Sequence, residues 1–219
     1  MFFPSEIVLD ITQYCDTVTK ARCTFVCKQW RQCVTWSKPE YERQLEQAVW
    51  LNYIDIVQNL LKEPNVDPTA RNQAIIMASA HGHVDLVRLL LKDPRVDPAA
   101  LRNLAISRAS SSARVEVVRV LLDDPRVNPA DAGNRAIQWA CGSDFPPVLW
   151  FRWPDRNRRL NPRYAAIVEM LLGDPRVDPT AANNEAIHVA NACGRLAIVE
   201  LLLKDPRMDP AVAKELLEH

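Results

Sequence analysis

Glycine is scarce, with five residues in a chain of 219. Phosphate-cradling loops depend on glycine, and no G-x-x-x-x-G-K-[ST] occurs. Neither G-x-S-x-G nor H-E-x-x-H is present, so nucleotide, serine-hydrolase and zinc-protease chemistry have no motif to start from. Excess charge is also missing. Twenty-seven basic residues balance 27 acidic ones, leaving no global field to draw the chain to nucleic acid or to an anionic membrane. No stretch approaches the roughly 18–20 apolar residues of a spanning helix. The opening MFFPSEIVLD lacks the basic start and apolar core of a secretory signal. Alternating strand patterns are absent throughout. The expectation is an all-α, non-enzymatic chain without cofactor or membrane partner, cytoplasmic or nuclear. Its six cysteines are then reduced thiols. Cys23, Cys27 and Cys33 have no histidine nearby, and Cys23 and Cys27 at i, i+4 read as a semi-buried helix face, so a metal cluster is not expected.

What the chain does have is repetition. LLKEPNVDP at Leu60–Pro68 returns as LLKDPRVDP, LLDDPRVNP, LLGDPRVDP and LLKDPRMDP. The closing prolines fall at Pro68, Pro98, Pro129, Pro179 and Pro210, so the unit is about 31 residues, and the fourth carries about 19 more. A period of this size marks a stacked array that presents a long surface and seldom houses a catalytic cleft.

Each repeat reads as two helices. Val-Asp-Pro opens it, with an acid before a proline at a helix start. An asparagine follows (Asn72, Asn103, Asn134, Asn184), taken as the N-cap of the first helix. That helix has a narrow inner stripe: Ala74-Ile75-Ala78, Ala105-Ile106-Ala109, Ala136-Ile137-Ala140 and Ala186-Ile187-Ala190. Alanines at i and i+4 let a neighbouring helix come close. After a short turn the second helix repeats V-x-V-V-x-x-L-L and stops before a proline. Repeat one is degenerate, with Leu45, Ala48 and Val49 in the inner columns. A short cap closes repeat five.

At these residues the chain resembles the ankyrin repeats. Ala78–Leu91 carries A-x-x-x-G-H-V-D-L-V-R-L-L-L, similar to that family's A-A-x-x-G-H-x-x-V-V-x-L-L core. The family's T-P-L-H is replaced, with only His188 keeping its last residue. D-P-R-V-D-P stands where long hairpin fingers normally begin and favours a short helical turn. The resemblance implies an α-solenoid over residues 41–219, with an insertion at about 142–163 in repeat four.

Residues 1–37 do not follow the repeat. Ile7, Ile11 and Tyr14 share one helical face, and Cys23, Val26, Cys27 and Trp30 share another. Phe3-Pro4-Ser5-Glu6-Ile7 and Val26-Cys27-Lys28-Gln29-Trp30-Arg31 resemble the two ends of an F-box. The resemblance implies docking on the Skp-type adaptor of a cullin-based ubiquitin ligase, through Pro4, Ile7, Ile11, Val26, Cys27 and Trp30. A helical cap over the first repeat is the alternative reading, and the two are compatible. Only Ser37-Lys38-Pro39-Glu40 separates this segment from the array.

Columns identical in every copy serve the stack, and variable ones are free to serve a partner. The variable outward positions are Gln73, Leu104, Arg135 and Glu185, followed four residues on by Met77, Arg108, Trp139 and Val189. Arg43, Gln47 and Trp50 continue the ridge into repeat one. Arginine and tryptophan dominate interface energetics, although Trp139 and Met77 could instead pack between repeats. The insertion holds Trp150 and Trp153 among five arginines. It either folds back on the helices or joins the target surface. The reading is a monomeric substrate receptor that joins an unidentified protein target to a Skp–cullin ligase. A scaffold or inhibitor that recruits no ligase is the alternative.

Overall fold

The computed structural model describes residues 38–62, 68–142, 161–208 and 211. Among these every regular element is a helix. The helices pair as α1 (Lys38–Trp50) with α2 (Ile54–Leu60), then α3 (Pro68–His81) with α4 (Val84–Leu91). There follow α5 (Ala100–Ser111) with α6 (Val115–Leu122), α7 (Asp131–Cys141) with α8 (Pro162–Leu172), and α9 (Ala181–Ala192) with α10 (Leu196–Leu203). These pairs are repeats one to five, and the fold class is that of an all-α repeat solenoid. None of the described helices is long and apolar enough to cross a membrane. The described residues fall into two compact units, one of those up to 78 together with 85–97 and one of 79–84 together with those from 98 onward.

The inner stripe is buried in every repeat. Ala105, Ile106 and Ala109, their equivalents at 136, 137 and 140, and those at 186, 187 and 190 are all essentially inaccessible. Each second helix buries a matching trio: Leu86, Val87 and Leu90, then Val117, Val118 and Leu121, then Ile167, Val168 and Leu171. Small residues on the first helix and branched ones on the second let the pairs stack closely. The valine of each D-P-R-V phrase is core as well: Val96, Val127 and Val177 are buried, and Met208 takes that place in repeat five.

The constant phrase is a built fastener. In repeat two the Asp93 carboxylate accepts bonds from the Arg95 backbone N–H at 3.0 Å, from Nε at 2.9 Å and from Nη2 at 2.6 Å. The same bracket forms at Asp124–Arg126, Asp174–Arg176 and Asp205–Arg207. Fixed in this way, the guanidinium reaches back to the preceding repeat. Arg95 donates to the Leu61 carbonyl. Arg176 Nη1 donates to the Val127 carbonyl at 3.0 Å, and Arg207 donates to the Val177 and Leu172 carbonyls at 2.7 and 2.9 Å. The carboxylate orients the arginine, and the arginine ties down carbonyls of the preceding repeat: helix-end ones at Leu61 and Leu172, and loop ones at Val127 and Val177.

These brackets carry a pH signature. The arginine hydrogen bond holds Asp93, Asp124, Asp174 and Asp205 below the ordinary aspartate value of 3.8, against a smaller opposing effect of burial. Below that value the unfolded chain binds more protons than the folded one. The contribution is therefore fully present above about pH 4 and is lost as pH falls through the depressed folded values. We expect the urea midpoint to drop below about pH 4. The double variant Asp174→Asn with Asp205→Asn should be less stable at neutral pH and show a shallower drop. An equal drop in the variant would place the acid sensitivity elsewhere.

The asparagine column is corrected by the structure. Asn103, Asn134 and Asn184 do not cap a helix. Each is the last of three residues in left-handed conformation: Leu101-Arg102-Asn103, Ala132-Gly133-Asn134 and Ala182-Asn183-Asn184, with φ from 53 to 70°. Such residues are costly without a glycine, and something must hold them. The Asn103 Oδ1 accepts from the Asn128 backbone N–H at 2.8 Å, and its Nδ2 donates to Asp131 at 3.0 Å. Asn134 accepts from Asp178 N–H, and Asn72 from Asp97 N–H, each at 2.8 Å. Asn72, Asn103 and Asn134 each pin the closing loop of their own repeat. Asn103 also grips the next repeat. Asn72 makes the same loop bond from within the continuous helix α3.

Candidate protein-binding surface

In the second compact unit the outward positions of α5 and α7 meet. Arg135 and Trp139 lie one helical turn apart on α7, and Arg108 comes from α5 of the preceding repeat. The Arg108 guanidinium stands over the Trp139 ring at 5.2 Å from its centre, and that of Arg135 at 5.5 Å. Cation–π contact at this range stabilises by roughly 0.5–1 kcal/mol each where water still reaches the groups. Trp139 and Arg135 are half-buried and Arg108 is exposed. The two readings left open for Trp139 therefore combine: one indole packs across two repeats and still borders solvent.

Neither Arg108 nor Arg135 has a carboxylate within 4 Å among the described residues. Asp131 pairs instead with Arg102 at 3.5 Å. On α9, Glu185 and Val189 are half-buried in the corresponding columns. Ser111 belongs to the same periodic series but turns inward. It is buried, with its hydroxyl donating to the Arg108 carbonyl at 3.1 Å.

In the first compact unit Arg43 and Gln73 are exposed, while Gln47 and Met77 are half-buried. Trp50, one turn beyond Gln47, is 60% exposed. Pro4, Ile7, Ile11, Val26, Cys27 and Trp30 lie outside the described residues, as do Trp150 and Trp153 of the insertion. The insertion leaves α7 at Gly142 and rejoins at Asn161, whose side chain accepts from Arg163 N–H to start α8. Pro162–Arg163 therefore belong to α8, and Gly142 is the C-cap of α7. A side chain at Gly142 would place its Cβ 2.8 Å from the Cys193 Sγ.

Sequence reading missed a second set of cross-repeat caps. Arg114, at the head of α6, donates to the Ala80 carbonyl at the end of α3 at 3.0 Å. Arg195, at the head of α10, donates to the Ala140 carbonyl near the end of α7. In repeat four Tyr164 takes this role, donating to the Ser111 carbonyl at 2.9 Å. Arg195 also stacks on Tyr164 at 4.2 Å. Arginine at one position in two of the copies was the available signal. Among the described residues no group of three or more metal-ligating side chains converges. His81 and His83 stack on each other with ring centres 5.7 Å apart.

Comparison with known families supplies the context. Residues 45–131 match the model for ankyrin repeats, in three copies. Residues 3–41 match the model for the F-box domain. No curated protein matches the chain. The F-box match ends inside α1, whose Leu45, Ala48 and Val49 are the first buried inner stripe of the array. Lys38–Glu40, expected to separate the two parts, are the first residues of that helix, with Pro39 in its opening turn. The chain is an ankyrin-repeat protein with an N-terminal F-box domain.

Proposed function

We propose that the chain is a substrate receptor of a Skp–cullin-type ubiquitin ligase. Its F-box would hold the adaptor, and the outward face of its first helices would hold a protein to be modified. The observation that carries this reading is the order of the two modules with no linker between them, since α1 begins within one match and ends within the other. The chemistry is positioning. A stiff connection raises the effective concentration of a bound target near the transferred ubiquitin, whereas a long flexible one dilutes it. Arg43, Gln47, Gln73, Met77, Arg108, Arg135, Trp139, Glu185 and Val189 are the target side of the proposal, with Trp150 and Trp153 as further contacts. Pro4, Ile7, Ile11, Val26, Cys27 and Trp30 are the adaptor side. Their variants separate the receptor from a scaffold that merely occupies a partner. Wild type is expected to retain a purified Skp-type adaptor on beads, and Ile7→Asp and Trp30→Ala to retain less than about a tenth of it. Burying a charge, or deleting an anchor aromatic, costs at least 2 kcal/mol at an interface. Equal retention by all three chains would remove these residues from the contact.

A further inference from the structure

We infer that the target segment seated on the Arg108–Trp139–Arg135 cluster is acidic, and that its carboxylates bind the two guanidiniums. This rests on the receptor reading of that face and adds the chemistry of its partner. Two like charges from adjacent repeats converge on a single indole. No carboxylate of the described residues lies within 4 Å of either one. The nearby acid, Asp131, is already taken by Arg102, Asn103 and the Ala132 N–H. The four bracket arginines show the opposite pattern, each with its own aspartate. The two arginines of this outward cluster thus lack the counter-ion that the bracket arginines carry, and neither donates to a backbone carbonyl of the described residues as Arg114 and Arg195 do. A guanidinium over an aromatic ring still presents a planar donor fork that fits a carboxylate, which a lysine would not do. The indole supplies the apolar floor, the usual company of arginine in an interface centre. Glu185, in Arg135's own column one repeat on, ends the positive stretch and limits the acidic contact to repeats three and four.

The test uses the full chain and a fluorescein-labelled decapeptide of alternating glutamate and serine, followed by anisotropy at low and physiological salt. Matched decapeptides carry glutamine, lysine or phosphoserine in place of glutamate. The glutamate probe should bind at least about tenfold tighter than the glutamine and lysine probes, more weakly at higher salt. Arg108→Gln and Arg135→Gln should each weaken it several-fold or more. The triple variant Arg156→Gln, Arg158→Gln, Arg159→Gln in the insertion should change it less than twofold. Circular dichroism of each variant controls for folding. Equal binding of the glutamate and glutamine probes overturns the inference. So does binding of the phosphoserine probe without the glutamate probe, or an effect confined to the insertion variant. Adaptor retention measured on the same preparation is independent of all these outcomes, so failure here is distinguishable from failure of the receptor reading.

Discussion

Tyr164→Ala should destabilise the second compact unit by about 3–5 kcal/mol, the cost of emptying a large buried aromatic site. Tyr164 is 4% exposed. Its hydroxyl caps the Ser111 carbonyl at 2.9 Å, and its ring carries the Arg195 guanidinium at 4.2 Å. Arg195 is itself 6% exposed and has no ion pair with any described residue. Removing the ring takes away one of the groups that compensate a buried cation, and that raises the cost. Tyr164→Phe keeps ring and stacking and loses only the hydrogen bond, so it should cost about 1–1.5 kcal/mol. Because an array is coupled mainly through neighbouring repeats, loss should begin at repeats four and five. Limited proteolysis of Tyr164→Ala should cut within 129–208 before it cuts within 68–97. Equal urea midpoints for Ala and Phe would show that packing at this site contributes little.

The second large effect is expected at Asn103. Asn103→Ala should cost about 2–4 kcal/mol. The variant leaves the Asn128 N–H without its partner and removes one of the three partners of Asp131, and each lost bond of a buried amide costs about 1 kcal/mol or more. It also places a Cβ without a compensating local hydrogen bond at φ 56°, adding roughly another 1 kcal/mol. Asn103→Gly relieves the backbone but not the lost bonds, so its denaturation midpoint should fall between those of Ala and wild type. A glycine variant as stable as wild type would show that the side-chain bonds contribute nothing.

The helices were legible because their signal is local. Ala105-Ile106-Ala109 and the equivalent trios state a 3.6-residue period directly, and burial follows it without exception in the described repeats. The asparagine column was misread because an asparagine ahead of an apolar stripe looks the same whether it caps a helix or pins a loop. The deciding partner of Asn134, the N–H of Asp178, lies beyond a whole insertion. The left-handed triplets had only a faint signal in Gly133 and in Asn183-Asn184, and none in Leu101-Arg102. D-P-R-V-D-P was recognised as constant, and its Asp–Arg bracket spans only two residues. Its reach to carbonyls of the preceding repeat, as from Arg176 to Val127, is tertiary and invisible to a pattern. On the binding face, reading columns across copies found Arg108, Arg135 and Trp139 without revealing that they form one cluster. Tyr164 was missed because the insertion removes it from the periodic frame.

The central claim is that this chain joins a ligase adaptor to a target face. Its most direct test is light scattering of the full chain mixed with a purified Skp-type adaptor on a sizing column at micromolar concentrations. The account predicts a single species with the summed mass of one chain and one adaptor, which Trp30→Ala resolves into its two components. Two unshifted peaks for wild type would contradict it, and would leave a repeat protein that binds its partner without a ligase.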